Sequence, residues 1–195
     1  RQYYVGTIND KKVVVALSRI GKVASAVTAS YLITHFPITQ LIVAGVAGGA
    51  DDKLNIGDVC IATQCIQHDM DASGLFPKFE IPLLGVKYFP SMPLIIEKAE
   101  LAISKYLLNG FFNQIHGNIR NEFLLNDIKV HQGVMASGDQ FIASAMKLAE
   151  IKKGIPELLF VEMEGAAVAQ VCYEYKIPLL NIRIISDKAL SLIHI

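Results

Sequence analysis

The 195-residue sequence predicts an α/β domain built in layers, and three observations carry that prediction. Apolar runs of strand length alternate along the chain with segments of three-to-four periodicity. Hydrophobic residues make up 52% of the chain and charged residues 18%, ample for one buried core at a prior of ~150 residues per domain. The longest apolar run, Leu41 to Ala50, is about half of the ~20 residues a bilayer span needs and holds three glycines, so a soluble chain is expected and no membrane partner.

Tyr3 to Ile8 and Lys12 to Leu17 are β-rich runs separated by Asn9-Asp10, a pair that tolerates left-handed backbone, so they predict a hairpin. From Gly21 to His35 the positions Val23, Ala26, Val27, Tyr31 and Ile33 recur at helical spacing until Pro37. Gln40 to Val46 is an uninterrupted apolar run that suits a strand covered on both faces, and Gly57 to Gln67 reads as another strand. The stretch from His68 to Pro93 carries Pro77, Pro82, Pro90 and Pro93 and little periodicity, so a long ordered loop is expected there, of the kind that usually serves function. A helix over Ser91 to Leu107 turns Leu94, Ile95, Ala99, Ala102, Ile103 and Tyr106 inward. Strand Lys129 to Ala136, helix Ala143 to Lys153, strand Leu158 to Met163, helix Gly165 to Tyr175 and strand Pro178 to Ile185 complete the alternation. No repeat, low-complexity tract or linker interrupts it.

Charge excludes some functions. With 18 basic and 18 acidic side chains, a pI near 7.1 and a mean hydropathy of +0.40, the chain is neither a disordered regulator nor a polyanion binder, so no nucleic-acid partner is expected. Cys60, Cys65 and Cys172 form no C-x-x-C pair, and the odd spacing of the first two places them on opposite faces of a regular strand. They read as reduced core thiols of a cytoplasmic protein.

Candidate chemistry gathers where strands end. Ala44-Gly45-Val46-Ala47-Gly48-Gly49 ends a buried strand in glycines, which suits either a tight turn or a ligand lying against backbone. Its spacing fits no phosphate-binding loop. Val161-Glu162-Met163-Glu164-Gly165 puts two carboxylates on one strand face just before a helix, and carboxylates can accept the paired hydrogen bonds of a vicinal diol such as ribose. In Asn181-Ile182-Arg183-Ile184-Ile185-Ser186-Asp187, Arg183 and Asp187 share a face of an apolar strand; buried charges of this kind are either paired with one another or used. Ala136-Ser137-Gly138-Asp139-Gln140-Phe141-Ile142 is again a strand end, with an aromatic that either stacks on a heterocycle or belongs to the core. His68-Asp69-Met70-Asp71 has metal-ligand residue types, but no second cluster accompanies it, so no metal is expected.

In this order and spacing these motifs resemble the nucleoside phosphorylase/hydrolase superfamily, most closely its bacterial 5′-methylthioadenosine/S-adenosylhomocysteine nucleosidases. The likeness runs from Tyr4-Val5-Gly6 through Ser18-Arg19-Ile20-Gly21-Lys22-Val23, the glycine turn, Gly57-Asp58-Val59, His68-Asp69, Ser137 to Ile142 and Glu162-Met163-Glu164 to Ser186-Asp187. It implies a three-layer α/β/α fold around a central mixed, twisted sheet. It further implies hydrolysis of the N-glycosidic bond of 5′-methylthioadenosine and S-adenosylhomocysteine, releasing adenine and the thioribose product, without a cofactor and in the setting of methionine salvage. Asp187 would protonate the purine as general acid. Glu164 would hold the ribose hydroxyls, with Met163 under the sugar and Glu162 supporting the pocket. Phe141 would stack on adenine while the backbone at Ile142 reads its edge, Ala47 and Gly48 would line the floor, Ser186 would accompany Asp187, and Arg183 would help orient the attacking water. Members are commonly homodimers in which a partner loop closes the 5′-substituent pocket, for which Leu75 to Pro93 is the candidate.

The resemblance also marks departures. Phosphorylases of the superfamily typically carry an Arg and a Ser or Thr where this chain has Val43 and Val46, so water is the expected nucleophile. Nucleosidases often carry Ser at the Val46 position, and Gly is common where Arg19 stands. A glutamate that activates the water lies, in the family, ahead of the matched region, so residues 1–189 are expected to form a single domain incomplete at both ends, with impaired turnover, and 190–195 a non-native tail. The alternatives are a purine nucleoside phosphorylase and a nucleoside-binding relative without turnover.

Overall fold

Asn9 and Asp10 both adopt positive φ, 46° and 62°, and so close a two-residue hairpin between β1 (Tyr3–Ile8) and β2 (Lys11–Ala16). The computed structural model describes residues 1–111, 114–122, 125 and 127–189; the expected tail at 190–195 lies outside them. After the hairpin come α1 (Lys22–His35), β3 (Leu41–Gly49), β4 (Val59–Gln67), the short β5 (Phe89–Pro90) and α2 (Pro93–Tyr106). A π-helical turn over Leu107–Phe111 follows, then α3 (Gly117–Glu122), β6 (Val130–Ser137), α4 (Ala145–Gly154), β7 (Leu158–Glu162), α5 (Gly165–Tyr175) and β8 (Leu179–Asp187).

Six strands form one mixed sheet in the order β5-β4-β6-β7-β3-β8, curled until the start of β4 pairs antiparallel with β8. Alternate side chains feed two cores. Cys60, Ala62, Cys65, Met135, Phe160 and Ile185 pack with Ala166, Ala169 and Cys172 of α5 on one side. On the other, Ile66, Val134, Ala136 and Val161 meet Leu148 and Ile151 of α4, while Ile61 meets Ile96 and Ala99 of α2. The result is the expected three-layer α/β/α arrangement. Among the described residues no helix is long and apolar enough to cross a membrane.

Strand parity and helix stripes differ from the sequence reading, and of the α2 positions expected to face inward Leu94, Ala102 and Tyr106 are exposed. The β4–β6 register shifts between Ala62 and Gln64, so Cys60 and Cys65 oppose His131 and Met135, an even spacing. The bulge puts both thiols in the same core instead of on opposite faces. Helix α1 buries Ser25, Thr28 and Ala29, and leaves Val23, Val27 and Tyr31 exposed. Small residues win the inner face because α1 packs closely on the alanine-rich α5. The outer stripe keeps Tyr31 stacked between Tyr3 and His35, at 4.6 and 3.8 Å between ring centroids. The 68–93 stretch is mostly loop as expected, ordered by an Ile81–Val86 bridge and by β5.

Candidate active site

Carboxyl ends of strands arriving from two directions meet at one place. β3 and β8 run parallel, β6 and β7 run parallel, and β3 meets β7 antiparallel only through Gly48–Val161 and Gly49–Phe160 at their last residues. The junction encloses a cavity of ≈ 240 Å³. Its wall is made by Val46, Ala47 and Gly48 from β3, Gln140, Phe141 and Ile142 after β6, Val161 to Glu164 from β7, Ser186 and Asp187 from β8, and Ile20 ahead of α1. All but one of the residues to which the resemblance gives a role at the site therefore converge there. The exception is Arg183.

Arg183 and Asp187 do not share a face. The β3–β8 register shifts where Ala47 and Gly48 oppose Ile185 and Asp187, and the extra residue on β8 re-aims Asp187 toward the cavity. Arg183 stays beneath it, 2% exposed, pairing Nη2 with Glu162 Oε2 and donating Nη1–H to the carbonyls of Val43 (3.2 Å) and Ile182 (3.0 Å). Arg183 therefore does not line the cavity, where the resemblance has it help orient the attacking water; its guanidinium is held in a buried ion pair with Glu162.

Glu162 is equally committed. Its carboxylate accepts hydrogen bonds from Ser137 Oγ, from the Glu164 N–H at 3.0 Å and from the Gly165 N–H at 2.9–3.0 Å. It thus caps the orphan amides at the start of α5, anchors the end of β6 and neutralises Arg183. Ser137 Oγ also accepts the Ala166 N–H at 2.7 Å. Glu162 closes the cavity from below, and Glu164 is the carboxylate that faces it.

Glu164 is half-buried and accepts the Gly21 N–H at 3.0 Å. Burial pushes its carboxyl above the ordinary range, and the neighbouring Glu162 adds to this, while the Gly21 N–H and Arg183 pull the other way. Asp187 accepts the Ser186 hydroxyl at 2.9 Å and the Ala189 N–H at 2.7 Å. The strand-end glycine is needed here: a Cβ on Gly48 would stand 2.9 Å from Ala189 Cβ and 3.1 Å from Asp187 Oδ1. Gly138 has a similar reason, because a Cβ there would overlap the buried His68 ring. Burial lowers the His68 pKa, and the ring lies against Gly138. Phe141 is exposed at the cavity rim, and Ile142 is buried in the wall.

The wall carries three carboxylates and, among the described residues, no Lys, Arg or His. A phosphate dianion placed there would be desolvated against like charge without compensation. No group of three or more His, Cys, Asp or Glu among the described residues is arranged to hold a metal. The three thiols are free and buried, and burial pushes them up to about 12, so they are not nucleophiles at neutral pH.

Sequence reasoning missed Ile20 in the wall and the polar cluster beside it. Lys22 Nζ lies 2.6 Å from Asp69 Oδ1, and Asp139 accepts the Lys22 N–H. In the sequence the His68-Asp69 pair carries metal-ligand residue types and part of the family likeness but shows no partner, and the signal that points to one is the lysine directly after the glycine that opens α1.

The profile of the Phosphorylase superfamily matches residues 1–194 of the chain. A 5′-methylthioadenosine/S-adenosylhomocysteine nucleosidase from Staphylococcus aureus is 35% identical over 189 residues, which is 96% of this chain and 74% of that protein. The crystal structure of the nucleosidase of the same name from Neisseria meningitidis, in complex with methylthio-immucillin-A, superposes with a TM-score of 0.82 at 34% identity, over 96% of this chain and 73% of that one. That from Streptococcus pneumoniae, with the transition-state inhibitor MT-ImmA, gives 0.79 at 34% identity and the same coverage.

Proposed function

The chain belongs to the phosphorylase superfamily, and on that premise we propose how its cavity serves an N-glycosidase that hydrolyses 5′-methylthioadenosine and S-adenosylhomocysteine to adenine and the thioribose product. The observation that carries the proposal is the convergence of Asp187, Glu164, Met163 and Phe141 on one cavity whose wall holds no cation. Cleavage of an N-glycosidic bond passes through an oxocarbenium-like sugar, so it needs an acid at the leaving base, negative charge near the sugar and a placed nucleophile. Asp187, on the β8 side, delivers the proton that makes adenine a neutral leaving group, and Ser186 holds its carboxyl. Glu164, across the cavity, accepts the ribose hydroxyls and supplies the charge. Met163 packs under the sugar, Phe141 stacks on the base, the Ile142 backbone reads the base edge, and Ala47 and Gly48 form the floor.

Glu162 and Arg183 act through the others: they fix the β7–α5 junction that carries Glu164. The apolar Val46 and the anionic wall favour water over phosphate as nucleophile. Val46 and Phe141 are 63% and 61% exposed although they line the cavity, and Leu75 and Leu83 in the 68–93 loop are 86% and 94% exposed. These exposures support a homodimer in which each protomer's loop covers its partner's cavity; a cytoplasmic location and a setting in methionine salvage are proposed from the family resemblance alone. No cofactor takes part. Asp187→Asn tests the acid: it should lower the rate of adenine release ~10²–10⁴-fold while leaving the thermal melting temperature unchanged. A rate within a factor of three of the parent would remove Asp187 from that role.

A further inference from the structure

Beside the cavity, three segments that share no strand or helix are joined by a closed polar ring. Lys22, the first residue of α1, directs Nζ to Asp69 Oδ1 at 2.6 Å and to Gln67 Oε1 at 3.1 Å. The second oxygen of Asp69 accepts the Asp139 N–H at 2.9 Å, and Asp139 Oδ1 accepts the Lys22 N–H at 2.8 Å. Gln67 is itself held by Gln170 of α5, with Nε2–H donating to Oε1 at 2.8 Å. The Lys22 and Asp69 side chains are only 17% and 19% exposed. This is therefore not a mobile surface pair, which would contribute little. Burial opposes the charge on Asp69, yet the Lys22 ammonium and the Asp139 N–H outweigh it and hold the carboxyl below its ordinary value.

Each end of the ring leads to the site. Gly21, adjacent to Lys22, donates its N–H to Glu164 Oε1 at 3.0 Å. Its φ is +93°, and a Cβ there would stand 3.0 Å from Asp139 Oδ1, so the turn closes tightly on the ring and admits only glycine without strain. Asp139 precedes the Phe141–Ile142 segment by two residues. We propose that Lys22 and Asp69 are positioning residues of this site: their ring fixes the Gly21–Lys22 turn so that the Gly21 N–H holds one oxygen of Glu164 and sets the direction in which that carboxylate faces the sugar. A carboxylate pinned in this way enters the complex already oriented, and its loss of freedom is met on folding instead of on binding. The inference rests on the reading of Glu164 as the ribose ligand.

The test compares two ligands by calorimetry on the whole chain: adenine, which has no ribose, and a carbon-linked adenosine analogue that cannot be hydrolysed. Lys22→Met, which keeps the aliphatic stem, should weaken the analogue about tenfold and leave adenine within twofold. Asp69→Asn should reproduce that selective loss, and Lys22→Arg should recover most of the affinity. In a Glu164→Ala background Lys22→Met should have no further effect, because the carboxylate it positions is gone. Equal losses for adenine and analogue, or additive effects of Lys22→Met and Glu164→Ala, would overturn the proposal. Failure of the unmodified chain to bind either ligand would instead overturn the reading of the cavity itself.

Discussion

Replacing Arg183 by Met separates scaffold from chemistry. The guanidinium is 2% exposed and faces Glu162 Oε2 and two backbone carbonyls. Without it Glu162 keeps its hydrogen bonds from Ser137, Glu164 and Gly165, but it loses its only counter-charge among the described residues. Breaking a buried pair from one side costs about 3–5 kcal/mol, because one charge stays desolvated and uncompensated. At about 2–4 °C per kcal/mol for a chain of this size, the melting temperature should fall by about 6–20 °C. The double variant Glu162→Gln with Arg183→Met removes both charges and keeps an acceptor for the α5 amides. It should melt above the value obtained by adding the two single losses, with a coupling of ~0.5–3 kcal/mol. Differential scanning fluorimetry on the four proteins reads this directly. A single variant that loses less than 2 °C, or strict additivity, would refute the assignment of Arg183 to the scaffold and return it to the cavity.

Further outcomes concern the site and its entry turn. Because burial and Glu162 raise the Glu164 carboxyl, with Arg183 and the Gly21 N–H opposing, the acid limb of adenine release should lie above the ordinary carboxylate range. Activity is present above that value and lost as pH falls through it, and Glu164→Gln should remove the limb from the pH–rate profile. Arg19 sits at φ +68° with its side chain exposed, a left-handed conformation that costs a non-glycine residue about 1–2 kcal/mol. Net of the extra chain entropy of glycine, Arg19→Gly should raise the melting temperature by about 2–4 °C, and a decrease would show that Arg19 makes a compensating contact.

Much of this was legible before the fold was seen, and what was not has specific causes. Asn9-Asp10 announced its hairpin because few residue pairs accept two positive φ values, and α5 runs over the same Gly165–Tyr175 that its periodicity marks. The cavity was readable because glutamates and aspartates that end apolar strands have few other uses. Strand parity, in contrast, failed twice at bulges. One extra residue put Cys65 in the same core as Cys60, and another turned Asp187 away from Arg183. A bulge is set by how two strands register, which neither strand's own sequence contains. On helix α1 the apolar Val23 and Val27 are exposed, whereas close packing on α5 selects Ser25 and Ala29 for the inner face. The Lys22–Asp69 ring joins residues 47 apart, a distance across which residue types alone say nothing about contact. The Gly117–Glu122 helix and the π-helical turn at 107–111 are short segments with no apolar stripe to betray them.

The central claim is that water, not phosphate, attacks the sugar in a cavity with an anionic, cation-free wall. It is tested most directly by the identity of the sugar product formed from 5′-methylthioadenosine in phosphate buffer by a version of the protein that carries the family's water-activating glutamate, read by mass spectrometry alongside a phosphate-free control. Attack by water gives adenine and free 5-methylthioribose in both. A 1-phosphate sugar product, or adenine released only when phosphate is present, would contradict it.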